Sequence, residues 1–140
     1  MVQQFHKVYH KILEQNNVTD QIHYHMVIRL HVKDPIKNED DCNKFVTELI
    51  NAIDMKIVSG PHTVYIKTPG NRGLSSVTII ETSHISVHIW DEQDPALIQL
   101  DVFSCKKFTK EQIVKFLREK FEITDMEFVL LDRTNSISVR

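Results

Sequence analysis

Alternation of apolar and polar side chains along residues 22–33 is the feature that most constrains the fold of this chain. The apolar side chains occupy the even positions: Ile22, Tyr24, Met26, Ile28, Leu30 and Val32. Because successive side chains of a strand point to opposite faces, this pattern predicts a strand with one buried face. Such a strand needs neighbouring strands and a second layer over its apolar face. Asp34-Pro35 ends it.

Three other segments place apolar residues at three- and four-residue spacings, which is typical of helices that bury one face. They cover residues 5–16, 38–54 and 108–121, and Thr109 suits the N-cap of the last one. The remaining apolar runs predict strands at about 56–68, 74–81, 84–90, 97–104 and 128–131. The first of these is interrupted near Gly60-Pro61, and residues 134–140 are expected to form a loose tail.

This order of elements predicts an α+β fold, a two-layer sandwich of an antiparallel or mixed sheet with helices on one face. The other face of the sheet would be open to a partner or to a site. We expect one domain over residues 21–140, preceded by a helical extension over residues 1–20.

Composition excludes several classes of protein. The formal net charge is −2 and the basic residues are scattered, which argues against binding to nucleic acid or to an anionic membrane surface. No apolar run is long enough for a membrane span, and the N-terminus lacks the pattern of a secretion signal. Cys42 and Cys105 lie far apart, so two free thiols in a reducing cytoplasm are expected.

The strand predicted at 84–90 has an unusual polar face. His84, Ser86, His88 and Trp90 would share one face, opposite an apolar face turned to the helices. From periodicity alone, an ordinary half-exposed strand and a functional surface both remain open. The histidine spacings match no zinc pattern and neither cysteine has a second cysteine nearby, so no metal site is predicted.

Three short motifs carry a family resemblance. Residues 83–92 read Ser-His-Ile-Ser-Val-His-Ile-Trp-Asp-Glu, residues 100–105 read Leu-Asp-Val-Phe-Ser-Cys, and Gly-Leu-Ser stands at 73–75. Together they resemble the processing and active-site segment of the pyruvoyl-dependent S-adenosylmethionine decarboxylase proenzymes of bacterial and archaeal type. The resemblance is close over 73–105, and the element order over 22–131 is compatible with it.

The resemblance implies a proenzyme that cuts its own backbone between Thr82 and Ser83. The Ser83 hydroxyl would attack the carbonyl of Thr82, and Ser83 would then become a pyruvoyl group. By the same resemblance, His88 serves this cleavage as the acid/base group and Ser75 assists it.

The resemblance also implies how the mature enzyme works. The pyruvoyl group would form a Schiff base with the substrate and accept electrons during decarboxylation. Cys105 would donate the proton to the product, although a lone cysteine is also common as a small buried apolar residue. Trp90 and Glu92 would belong to the substrate pocket, and Cys42 matches no motif.

The chain departs from the family pattern at several positions. Thr82 stands where close relatives have glutamate, Pro69 where an aromatic ring stacks on adenine, and Asp91 where the pattern has proline. Arg29 stands where the pattern has glutamate, which reverses the charge. The processing motifs are therefore matched better than the substrate motifs.

Three functions remain open at this point. The first is decarboxylation of S-adenosylmethionine, which supplies aminopropyl groups for spermidine. The second is a pyruvoyl-dependent decarboxylase of another amino acid, such as ornithine or arginine. The third is an uncleaved, non-catalytic homologue with a binding role. By resemblance, we also expect a homodimer.

Overall fold

The computed structural model describes residues 21–140, which form one antiparallel sheet of seven strands and two helices. The elements are β1 (Tyr24–Lys33), α1 (Glu39–Ala52), β2 (Ile57–Ile66), β3 (Gly73–Ile80), β4 (Ser83–Trp90), β5 (Ala96–Ser104), α2 (Lys110–Lys120), β6 (Glu122–Asp132) and β7 (Ser138–Val139). The expected α+β sandwich is confirmed. The helix predicted at 5–16 and the extension over 1–20 lie outside the described residues.

The strand order in the sheet is β2-β3-β4-β5-β1-β6-β7, and every neighbouring pair is antiparallel. Strands β2 to β5 follow one another along the chain and across the sheet. The first strand, β1, lies between β5 and β6. It pairs with both, although they come much later in the chain. Strands β4, β5 and β1 therefore occupy its centre.

The core lies between one face of the sheet and the two helices. Apolar side chains from β1, β4 and β5 pack there against those of α1 and α2, and each is at most 1% exposed: Met26, Ile28, Leu30, Val32, Ile85, Val87, Ile89, Ile98, Leu100, Leu49, Ile50, Ile113 and Leu117. Each such side chain contributes roughly 1.5–3 kcal/mol relative to exposure. The buried faces predicted for β1 and β4 are confirmed.

Side chains cap both helices at their first turns. Asn38 Oδ1 accepts a 2.8 Å hydrogen bond from the backbone N–H of Asp41 at the start of α1. Thr109 caps α2 and exchanges hydrogen bonds with Gln112, as a capping box does, so the predicted N-cap is confirmed.

Three predicted elements differ from those in the structure. Strand β2 is continuous through Gly60-Pro61, with register shifts on either side of Ser59. Strand β6 covers Glu122–Asp132, not 128–131, because it pairs with β1 along its whole length. The supposed loose tail contains β7, which pairs with β6 and is held by the ion pair of Arg140 with Asp132.

Neither helix within residues 21–140 is both long enough and apolar enough to cross a lipid bilayer.

Candidate active site

The face of the sheet that the helices leave uncovered carries most of the site residues named above. Residues directly opposite each other on antiparallel strands share a face. One row of four such residues runs across β3, β4, β5 and β1: Ser75, His88, Gln99 and Arg29. Adjacent strands lie about 4.8 Å apart, so this row spans about 14 Å.

Ser75 and His88 form a hydrogen-bonded pair within this row. The Oγ atom of Ser75 lies 3.0 Å from Nδ1 of His88, and both side chains are half-buried. The bond engages one ring nitrogen, so Nε2 is the nitrogen available to exchange a proton with another group. The ring of His88 also packs against the indole of Trp90, with centroids 5.8 Å apart. We call Ser75 and His88 the serine–histidine pair.

A second group surrounds the peptide bond between Thr82 and Ser83. The backbone N–H of Cys105 donates a 2.8 Å hydrogen bond to the carbonyl oxygen of Thr82. The hydroxyl of Ser104 donates a 2.8 Å hydrogen bond to Oγ1 of Thr82. Pairing of Ser83 with Ser104 at the ends of β4 and β5 brings these residues together across 22 positions of sequence. We call Thr82, Ser83 and Cys105 the cleavage-site cluster.

Ser83 has a strained backbone. Its φ angle is +140°, in the region that favours glycine and that residues with a Cβ rarely adopt. Such a conformation costs on the order of 1–3 kcal/mol and persists only where the surrounding structure imposes it. Strain is therefore stored at the residue whose hydroxyl is the expected nucleophile.

The structure does not bring the serine–histidine pair to the cleavage-site cluster of the same chain. His88 follows Ser83 by five residues on the same strand. At a rise of about 3.3 Å per residue, the two residues lie about 16 Å apart. The site residues named from sequence therefore form two separate groups within one chain.

Trp90 is the last residue of β4 and contacts His88, and Glu92 follows it by two residues. The indole Nε1–H of Trp90 donates a 2.9 Å hydrogen bond to Oδ1 of Asn71. The carboxylate of Glu92 accepts the backbone N–H of Gly70 at 3.0 Å and 3.2 Å. Both side chains are thus tied to the turn that precedes β3.

Asp91, between them, belongs to a network that sequence reasoning missed. Oδ2 accepts the hydroxyl of Tyr65 at 2.6 Å and Oδ1 accepts Nε–H of Arg72 at 3.0 Å. Desolvation acts to raise the pKa of Asp91, but these two hydrogen bonds and the charge of Arg72 outweigh it, so the pKa lies below its usual value. The one sequence signal was the aspartate in place of the family's proline.

Arg29 lies on the uncovered face, two strands from His88 in the row defined above. Its side chain is 46% exposed, and its contact with Asp125 is loose, at 3.8 Å. Asp125 is held more closely by His31, at 2.7 Å. Arg29 and His88 are thus separated by about 10 Å between strands, and the guanidinium contacts Asp125 on β6, on the side of β1 away from His88.

The two cysteines have different surroundings. Cys42 is fully buried in α1, where burial raises the pKa of its thiol. Cys105 is half-buried at the end of β5, beside the peptide bond between Thr82 and Ser83. Within residues 21–140, no group of three or more histidine, cysteine, aspartate or glutamate residues is arranged to hold a metal ion.

Comparison with known proteins shows the family of this chain. The family model described as S-adenosylmethionine decarboxylase matches residues 24–134. A Clostridium botulinum protein named S-adenosylmethionine decarboxylase proenzyme is 33% identical over 107 residues, which cover 74% of this chain and 87% of that protein. Proteins of the same name from Archaeoglobus fulgidus and Pyrococcus furiosus are 30% and 32% identical, covering 78% and 74% of this chain and 95% and 72% of theirs. The chain therefore belongs to the S-adenosylmethionine decarboxylase family.

Proposed function

We propose that this chain is a proenzyme that cleaves itself between Thr82 and Ser83 and then decarboxylates S-adenosylmethionine. The product would supply aminopropyl groups for spermidine synthesis, and the two free thiols suit the cytoplasm as its location. The single observation that carries the proposal is the hydrogen bond from Cys105 N–H to the Thr82 carbonyl, beside a strained Ser83.

The cleavage begins with attack of Ser83 Oγ on the carbonyl carbon of Thr82. Negative charge develops on the carbonyl oxygen, where the Cys105 N–H already donates a hydrogen bond and stabilises it. The acyl group then moves from the nitrogen to the oxygen of Ser83, which turns the amide into an ester. Elimination releases the Thr82 carboxylate and leaves dehydroalanine at 83, which hydrolyses to a pyruvoyl group and ammonia.

The residues at the start of β4 fit a pyruvoyl group formed there. Position 83 would remain paired with Ser104 after cleavage, and the Cys105 N–H would remain beside it. When present, the group supplies a carbonyl that accepts electrons from the substrate during decarboxylation. Cys105, half-buried and next to Ser104, would donate through its thiol the proton that the product needs.

Cleavage also needs an acid/base group, and the distance within one chain favours its supply by a second copy. His88 lies about 16 Å from Ser83 along β4, beyond hydrogen-bond reach. The uncovered face carries four apolar side chains that are 41–49% exposed: Val27, Val77, Ile79 and Val129. A second copy packed on this face would bury these side chains and bring its serine–histidine pair to the cleavage-site cluster of the first. We therefore propose a homodimer.

Trp90 and Glu92 are the proposed substrate-binding residues. The indole offers an aromatic face on which adenine can stack, a contact worth about 1–3 kcal/mol. The carboxylate of Glu92 attracts the positive charge of a sulfonium or an amine. Both side chains bind the turn before β3, and the indole packs against the ring of His88, which supports this role.

Arg29 favours a second candidate, decarboxylation of another amino acid. A positive charge on the same face of the sheet as His88 opposes binding of a sulfonium cation, and its contact with Asp125 weakens this repulsion. Pro69, at the position of the family's stacking ring, removes a contact that an adenine substrate would use. Ornithine and arginine have no adenine and are the alternative substrates to compare.

Intact-mass spectrometry of freshly purified, denatured protein tests the proposal. We expect two fragments, residues 1–82 and a second beginning with the pyruvoyl group, and one uncut chain for Ser83→Ala. Release of carbon dioxide from S-adenosylmethionine, ornithine and arginine then identifies the substrate. A wild-type chain that stays at 16.4 kDa after long incubation would overturn self-cleavage and leave the non-catalytic homologue.

A further inference from the structure

The segment Trp90–Glu92 is attached to the turn at residues 68–73 through each of its three side chains. Trp90 donates to Asn71, and Glu92 accepts from Gly70. Asp91 binds Arg72, and its own backbone N–H donates to the Arg72 carbonyl at 3.3 Å. We call this arrangement the turn clamp, and Asp91 lies at its centre.

We propose that Asp91 is a positioning residue that holds Trp90 and Glu92 in the geometry that binds substrate. The proposal rests on the function proposed above for Trp90 and Glu92. It assigns to Asp91 no contact with the substrate or with the reacting atoms.

Asp91 is the most enclosed polar group of the turn clamp. Its side chain is only 7% exposed, whereas that of Arg72 is 47% exposed. Each carboxylate oxygen accepts one side-chain donor, Oδ2 from Tyr65 on β2 and Oδ1 from Arg72 in the turn. One carboxylate thereby links β2, the turn and the segment after β4, just beyond the last strand pairs, Ile66 with Gly73 and Gly73 with Trp90.

The turn residues of the clamp make few packing contacts. Gly70, Asn71 and Arg72 are exposed, and Gly70 has a φ angle of +80° with no atom within 4 Å of where a Cβ would stand. Their positions therefore depend on polar bonds and not on packing. Hydrogen bonds to a charged group are among the strongest available, so removing the Asp91 carboxylate should loosen the turn more than the core.

Trp90 is the only tryptophan of the chain, so its fluorescence reports on the turn clamp directly. We compare Asp91→Ala with Asp94→Ala, a matched loss of an exposed carboxylate from the same loop. In Asp91→Ala we expect stronger acrylamide quenching and emission at longer wavelength than in the wild type, and no change in Asp94→Ala. Tyr65→Phe removes one of the two donors and should give a smaller change of the same sign. An indole equally protected in Asp91→Ala and wild type would overturn the proposal.

Steady-state kinetics separate positioning from a purely structural role. We expect Asp91→Ala to raise KM for S-adenosylmethionine about tenfold, with kcat and the extent of self-cleavage within about twofold of wild type. A KM equal to that of wild type would overturn the proposal, even if the indole were freed.

Failure of the proposed function can be distinguished from failure of the positioning role of Asp91. It would appear as a wild-type chain that neither cleaves nor releases carbon dioxide. In that case the Kd for S-adenosylmethionine, measured by titrating Trp90 fluorescence of the uncleaved protein, replaces KM. A Kd about tenfold higher in Asp91→Ala would support the positioning role, and equal Kd values would overturn it.

Discussion

The backbone N–H of Cys105 donates a hydrogen bond to the carbonyl oxygen of Thr82, at 2.8 Å. This bond polarises the carbonyl that precedes Ser83, and Ser83 has a φ angle of +140°. One residue thus contributes twice in the proposed chemistry, through its amide during cleavage and through its thiol afterwards. Cys105 is held near position 83 because it directly follows Ser104, the pairing partner of Ser83.

The strain at Ser83 can be measured with two variants that both lack the nucleophile. Ser83→Ala and Ser83→Gly should remain uncleaved, so their stabilities are directly comparable. Glycine adopts a φ angle of +140° without a Cβ clash, so we expect Ser83→Gly to be more stable than Ser83→Ala by about 1–3 kcal/mol. Urea unfolding followed by circular dichroism measures the difference. A more stable alanine variant would show that position 83 is unstrained.

Mixing two inactive variants tests whether the site is shared between copies. Ser83→Ala keeps the serine–histidine pair, and His88→Ala keeps the nucleophile. We expect neither to cleave alone, and the His88→Ala chains to cleave once the two are unfolded together and refolded. Loss of an acid/base group costs about 10²- to 10⁴-fold in rate, so the restored cleavage should be plain by mass spectrometry.

The control for this mixing experiment is a chain that carries both substitutions. Mixed with His88→Ala, it supplies no histidine and should restore no cleavage. If the Ser83→Ala chain also fails to restore it, each chain must use its own His88, and the shared site would be wrong.

Much of the fold could be predicted because strong alternation identifies strands and their buried faces. In β1 and β4 the apolar side chains occupy every second position, and both faces were assigned correctly. In β6 the alternation is weaker, and only one residue of Glu122–Asp132 is buried. The sequence therefore predicted only its apolar segment, residues 128–131. Two-residue β7 has no sequence signal of its own, because it exists through pairing with β6.

Site residues that lie in one continuous motif could be predicted from the sequence. Contacts between residues that only the sheet brings together could not. The motif at 83–92 identified Ser83, His88 and Trp90 by resemblance. Nothing in the sequence indicates that Tyr65 and Arg72 meet at Asp91, or that Cys105 binds the Thr82 carbonyl. These contacts depend on strand register, which residue spacing alone does not specify.

Reversing the charge at Arg29 tests the preference for a cationic substrate. At about 10 Å, a unit charge contributes roughly 0.4–1.7 kcal/mol for effective dielectric constants between 80 and 20. We therefore expect Arg29→Glu to lower KM for S-adenosylmethionine by about threefold or more, and Arg29→Gln to fall between. Arg118→Glu, an exposed site on α2, makes the same charge change behind the sheet and should leave KM unchanged. A KM that rises in Arg29→Glu would contradict the repulsion.

The turn clamp should be lost at acid pH. Hydrogen bonds from Tyr65 and Arg72 and the charge of Arg72 hold the pKa of Asp91 below its usual value, despite desolvation, so folding favours the carboxylate. Its contribution is therefore present above the unfolded pKa and is lost as pH falls through the lower folded pKa. On the adjoining helix α1, the charged side chain of Glu39 accepts the Tyr65 N–H.

Trp90 emission provides the measurement of this pH dependence. We expect it to be constant from pH 7 to pH 5 and to shift to longer wavelength only below pH 3.8, the ordinary value for Asp91, while far-ultraviolet circular dichroism remains native. Asp91→Ala should show the shifted emission already at neutral pH. A wild-type transition centred above pH 5 would assign the change to another group.

Two buried hydroxyls on the helix-facing side of β3 should respond in opposite ways to removal. Thr78 is 0% exposed, and its Oγ1 has no hydrogen-bond partner in the described part of the chain. Ser76 is 1% exposed, and its Oγ lies 2.8 Å from Oγ1 of Thr63, which also donates to Oδ1 of Asn43 at 2.6 Å. Burial of an unpaired hydroxyl costs about 1–3 kcal/mol, whereas removal of a bonded one loses a hydrogen bond worth about 0.5–1.5 kcal/mol.

We therefore expect Thr78→Val to raise the free energy of unfolding by about 1–2 kcal/mol and Ser76→Ala to lower it by a similar amount. Both changes are best made in the Ser83→Ala background, where every chain is uncut and unfolding in urea can be treated as one transition. Because the two positions lie on the same face of one strand, a general effect of altering β3 would shift both in the same direction. Destabilisation by Thr78→Val would show that the Thr78 hydroxyl has a partner, such as a buried water.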